Sequence, residues 1–78
     1  MHEKIDRVIS FYKFTQITDT ERIRFNIFNF LNSLDILGTV LIANEGINAN
    51  MCGSAQHIEL AKIHISELLD LGDIYWRP

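Results

Sequence analysis

The sequence predicts an α+β fold, an antiparallel β-sheet carrying two helices on one face, in the order βαββαβ. Two segments place apolar residues at helical spacing, each behind a hydroxyl residue able to cap it, and strand-length runs of β-branched and aromatic residues lie around them. The run "INANMC" adds a third observation, because Ile47, Ala49 and Met51 alternate with Asn48, Asn50 and Cys52. A strand buried on both faces would not carry two asparagines, since an uncompensated buried amide costs about 1–3 kcal/mol. One face of the sheet is therefore expected to lie open.

The first strand is Arg7 to Phe14, "RVISFYKF", with Ile9 and Phe11 on one face and Ser10 and Tyr12 on the other. Thr18-Asp19-Thr20-Glu21 matches a capping box with Thr18 as the cap, so the first helix is expected to open there. Its buried stripe is Ile23, Ile27, Phe30, Leu31 and Leu34, widened by Phe25 and Phe28, and Gly38 ends the segment. Thr39 to Ala43 forms a short apolar strand. Asn44-Glu45-Gly46-Ile47 reads as a β-turn in which Gly46 supplies a positive φ, and the third strand returns antiparallel. Ser54 caps a second helix, whose stripe is Ile58, Ala61, Ile65 and Leu68 and whose stop is Gly72. "DIYWRP" begins a fourth strand that Pro78 cuts short. This is the ferredoxin-like, acylphosphatase-like plan, in which Asn48, Asn50, Tyr75 and Arg77 can join Ser10 and Tyr12 on the uncovered face.

A chain of 78 residues, 47% of them hydrophobic, is expected to form one folded domain over residues 1–78, with no linker or repeat. The net charge of -3 gives no general attraction to nucleic acid or anionic membrane, so RNA binding would need a local patch. The opening "MHEKIDRVIS" lacks the apolar core of a signal peptide, and no stretch approaches the roughly 20 apolar residues of a membrane span, which points to the cytoplasm. A single cysteine, Cys52, rules out an internal disulfide and a cysteine-rich metal site.

Little else in the chain points to chemistry. His57 and His64 stand two turns apart on the second helix, about 10 Å by helical rise and too far to share a metal. No cationic partner for Cys52 is visible, and Glu45 at the hairpin tip has no second acid, histidine or nucleophile at a fixed spacing. Tyr12 and Tyr75 could stack on bases, but the glycine-flanked aromatic signature of sheet-face RNA modules is absent. Lys13, Arg22, Arg24, Lys62 and Arg77 are scattered. No cofactor and no metal is assigned.

"ISFYKF", Ile9 to Phe14, followed after a helix by "GTVLIANEGINANMCGS", Gly38 to Ser54, resembles the N-terminal domain of the rhodanese-like tRNA uridine hydroxylases, over about Val8 to Trp76. The resemblance implies a cytoplasmic bacterial enzyme of two parts. A ferredoxin-like domain precedes a rhodanese domain, whose cysteine supports oxygen-dependent formation of 5-hydroxyuridine at the wobble position. It marks Lys13, Glu45, Gly46 and Asn48 as family-motif positions; with Tyr12 and Asn50 they are the candidate tRNA-binding residues. No catalytic residue carries over, because Cys52 precedes the second helix and does not match the rhodanese cysteine. The chain alone is expected to position or scaffold tRNA without catalysing the reaction. Alternatives are a stand-alone acylphosphatase-like hydrolase, although the loop "TQITD" lacks that enzyme's glycine and arginine, and a module that self-associates as a homodimer along the edge left by a short fourth strand.

Overall fold

A computed structural model of the chain describes residues 7–72. Strand β1 (Arg7–Phe14) leads to helix α1 (Thr20–Ser33), the hairpin of β2 (Leu37–Ala43) and β3 (Gly46–Gly53) follows, and helix α2 (Ala55–Leu69) comes last. The sheet order is β1-β3-β2, with β3 antiparallel to both neighbours. β1 and β2 thus run parallel with β3 between them, the split arrangement expected of the ferredoxin-like fold. The expected fourth strand, residues 73–78, lies outside the described residues.

The core forms where the inward face of the sheet meets the two helices. Ile9 and Phe11 of β1 and Ile47, Ala49 and Met51 of β3 pack against Ile23, Ile27 and Leu31 of α1 and Ile58, Ala61 and Ile65 of α2. Among the described residues no polar or charged residue is buried in it. Ile17, Ile36 and Leu71 seal its rim from connecting segments. Two histidines join the helices: His64 stacks on Phe30 with centroids 3.8 Å apart and meets Asn26 Oδ1 at 2.7 Å, while His57 Nδ1 meets the Leu34 carbonyl at 2.9 Å.

Four local expectations are corrected. The cap of α1 is Asp19 rather than Thr18: its carboxylate accepts from the Arg22 backbone N–H at 3.2 Å and from Arg22 Nε at 3.1 Å. A charged acceptor satisfies the helix's positive end better than a hydroxyl can. Phe25 and Phe28 do not widen the buried stripe but are 69% and 64% exposed. Gly38 does not end the helical segment. It sits inside β2, opposite Met51, while the turn out of α1 is made at Asp35 with φ 55°. Gly46 does not take a positive φ; among the described residues the glycines that do are Gly38 and Gly72. The second helix, by contrast, opens at Ser54 as expected, its side chain accepting from His57 N at 3.2 Å.

Candidate functional site: the open sheet face and its hairpin tip

Strand alternation sends every second side chain of the sheet away from the helices. The register places Tyr12 beside Asn48 and Asn48 beside Leu41, Ser10 beside Asn50 and Asn50 beside Thr39, and Val8 beside Cys52 and Cys52 beside Leu37. The open face therefore carries a polar row between two rows that are largely apolar. Val8, Tyr12, Phe14, Leu37 and Leu41 are 60%, 52%, 74%, 60% and 61% exposed. The Tyr12 and Phe14 rings meet edge to face, centroids 4.8 Å apart.

Of the candidate residues, the structure brings Tyr12, Asn48 and Asn50 together on this face. Lys13, opposite Ile47, has the other parity and is half-buried, and Glu45 stands exposed at the tip. The tip is a two-residue loop, Asn44-Glu45, between the paired Ala43 and Gly46. It is fastened to the β1–α1 connection: Thr15 N donates to the Glu45 carbonyl at 3.1 Å, Ile17 N to the Asn44 carbonyl at 2.9 Å, and Asn44 Nδ2 to the Ile17 carbonyl at 2.9 Å. Gly46 is required by space, since a Cβ there would lie 2.5 Å from the Lys13 carbonyl oxygen. The segment from Ala43 to Asn48 thus holds β1, β2 and β3 in register, with Ile47 in the core and Asn48 on the open face.

Two shallow depressions of about 250 and 270 Å³ flank β2, one between α1 and the strand and the other over Tyr12, Leu41 and Asn48. Both fall below the roughly 300–1,000 Å³ of small-molecule sites. The family model described as the UPF0176 acylphosphatase like domain matches residues 6–77. The chain belongs to that family. Among its relatives, the tRNA uridine(34) hydroxylase of Wigglesworthia glossinidia brevipalpis is 36% identical over 69 residues, 88% of this chain and 22% of its own length. The protein of the same name from Acholeplasma laidlawii is 29% identical over 75 residues, 96% of this chain and 24% of its own. A third, from a Picosynechococcus species, is 47% identical over 47 residues, 60% of this chain and 16% of its own. The chain therefore spans about a quarter or less of these relatives. No solved structure matches it.

In this acylphosphatase-like domain the N-terminus of α1 is filled by its own carboxylate. Two contacts from Arg22, the backbone N–H first and the guanidinium second, hold Asp19 below the ordinary carboxylate value. A helix N-terminus that would otherwise attract phosphate is thereby neutralised from within. Among the described residues three further cations are paired, Arg7 with Glu59 at 3.5 Å, Arg24 with Glu21 at 3.3 Å and Lys62 with Glu59 at 3.1 Å. Cys52 is half-buried between Val8 and Leu37 in the register. Among the described residues no three His, Cys, Asp or Glu side chains are grouped to hold a metal, and no helix is long and apolar enough to cross a membrane.

Sequence reasoning missed the apolar half of the open face, Val8, Phe14, Leu37 and Leu41. The signal was present, because each lies in a strand at the same parity as Tyr12 or opposite Asn48 or Cys52. Beginning the second strand at Thr39 instead of Leu37 concealed it.

Proposed function

We propose that this chain is the N-terminal scaffolding or substrate-positioning domain of an enzyme that hydroxylates uridine 34 of tRNA. The observation that supports it is the family match across residues 6–77, joined to relatives that bear that name. Catalysis belongs, on this reading, to the part of the enzyme beyond the matched fifth or quarter, and the setting is the cytoplasm. Tyr12, Asn48 and Asn50 form the face offered to the rest of the system, whereas Glu45 and Gly46 shape the hairpin that holds it. Phosphate affinity comes chiefly from cations. Among the described residues the shortage of unpaired cations favours scaffolding over direct tRNA capture.

Neither alternative finds support. The carboxylate at the start of α1 opposes an acyl phosphate there. Self-association along β1 depends on residues 73–78, which lie outside the described residues.

The test is a chimera in which this chain replaces the matched segment of the Wigglesworthia hydroxylase, expressed in a bacterium lacking its own enzyme. Mass spectrometry of digested tRNA should find hydroxylated uridine 34 with the chimera and none when the segment is deleted. Full hydroxylation after the deletion, or none from a folded chimera, would overturn the proposal.

A further inference from the structure

We infer that the open sheet face is a docking surface for protein, and that its occupant is the part of the hydroxylase polypeptide that this chain does not cover. The inference rests on the function proposed above. Five large apolar side chains, Val8, Tyr12, Phe14, Leu37 and Leu41, are between 52% and 74% exposed on one continuous face. With side chains offering on the order of 150–200 Å² each, these fractions leave about 500 Å² of apolar surface in water. That is close to the upper end of the largest patch on an ordinary monomer, about 300–600 Å².

The size of the patch is sufficient for a contact between domains of one chain. Interfaces between domains of one chain total about 600–1,500 Å², or roughly 300–750 Å² per side, which the face matches. A covalently joined domain needs less area, because the connecting chain supplies a high effective concentration. The relatives contain such a domain's worth of chain, since the matched segment is 22% of one and 24% of another.

The chemistry of the face excludes RNA as the better fit. None of the outward positions on β1, β2 or β3 carries a charge. The one described cation without an acidic partner, Lys13, points to the other side. Across the middle, the amides of Asn48 and Asn50 make no side-chain hydrogen bond among the described residues, and so are free to bond backbone groups of an incoming protein surface. An apolar patch with a few such polar groups is the usual make-up of a protein interface.

Cys52 lies within the face and reports on its cover. The rate at which a thiol reagent labels it should fall about tenfold or more when the chain is placed in the full-length chimera, compared with the isolated chain. Leu37→Lys with Leu41→Lys, both at exposed positions, should restore the rate without lowering the melting temperature. Equal labelling in the two settings overturns the inference. Protection of the isolated chain by tRNA, strengthened by the two lysines, would make the face an RNA site; protection that grows with its own concentration would make the occupant a second copy. Should the chimera not fold, a crystal structure of the full-length Wigglesworthia relative shows this sheet face against protein or, overturning the inference, against solvent. A chimera that hydroxylates tRNA with Cys52 unprotected sinks the docking surface alone; one that protects Cys52 without hydroxylating sinks the function alone.

Discussion

Replacing Gly38 by alanine should be among the most damaging single changes available in this domain, although only one methyl group is added. Gly38 sits in β2 with φ +134°, and an added Cβ would lie 2.0 Å from the Asn50 carbonyl oxygen and 2.9 Å from its carbon. The backbone conformation alone costs a side chain about 1–3 kcal/mol. Real Cβ atoms keep at least 3.0 Å from their neighbours, so β2 must move about 1 Å away from β3 at this point. The obstacle is backbone, and no side chain can rotate out of the way. Such a movement loosens the ladder bonds on either side, each worth about 0.5–1.5 kcal/mol net. Together the terms come to about 2–6 kcal/mol, against roughly 4–12 kcal/mol for the whole stability of a domain of this size. At about 4–8 °C per kcal/mol, the melting temperature should fall by at least about 8 °C. Thermal unfolding followed by circular dichroism measures this directly. A Gly38→Ala protein melting within about 4 °C of the parent would refute the strand geometry from which the magnitude is built.

Gly46→Ala should cost about 1–3 kcal/mol in chemical unfolding because the added Cβ meets the Lys13 carbonyl oxygen at 2.5 Å. Gly46→Asn should be no better, whereas a position needing positive φ would prefer asparagine. Asn44→Ala removes the 2.9 Å bond to the Ile17 carbonyl and should cost about 1 kcal/mol; Asn44→Asp, which sets an acceptor against that carbonyl, should melt lower than Asn44→Ala. Asp19 is held below its ordinary value of 3.8 in the folded chain, so its contribution is complete above that value and is lost as pH falls through the lower folded one. Urea midpoints of Asp19→Asn, which keeps a cap but cannot titrate, should therefore decline less than the parent's on the acid side.

Much of the fold is legible in the residues because periodicity and burial are the same fact seen twice. Ile23, Ile27 and Leu31, spaced four apart, are the buried stripe of α1, and Ile58, Ala61 and Ile65 are that of α2. Asparagines at alternate positions of β3 announce the open face because an amide without a partner is not tolerated inside. What the sequence hides is three-dimensional competition. Thr18 and Asp19 are both competent caps, and the outcome depends on where Ile17 is pinned by the Asn44 carbonyl, 27 residues away. Phe25 and Phe28 suit a helix's apolar side, but the buried strip is already filled by Ile23, Ile27 and Leu31. Glycine is ambiguous too: spacing cannot tell the close approach at Gly46 from a turn, or the positive φ inside a strand at Gly38 from a helix stop.

The hairpin motif is where these readings meet. Every residue from Asn44 to Asn48 can be given a task, and the first four tasks are structural: Asn44 fastens the tip to Ile17, Glu45 lends its carbonyl to Thr15, Gly46 clears Lys13 and Ile47 fills the core. Asn48 alone of the five sets a side chain on the open sheet face, and it does so from the middle of an uncharged, half-apolar surface. A motif built in this way fixes the position of a surface instead of assembling a reaction centre. Loss of function through Gly46 or Asn44 should accordingly follow loss of stability, whereas loss through Asn48, Leu41 or Tyr12 should leave the domain folded and disable only what docks on it. Measuring melting temperature beside tRNA hydroxylation for these variants in the chimera separates the two groups. A folded Asn44→Ala chimera that melts like the parent yet fails to hydroxylate would place chemistry at the tip and contradict this division.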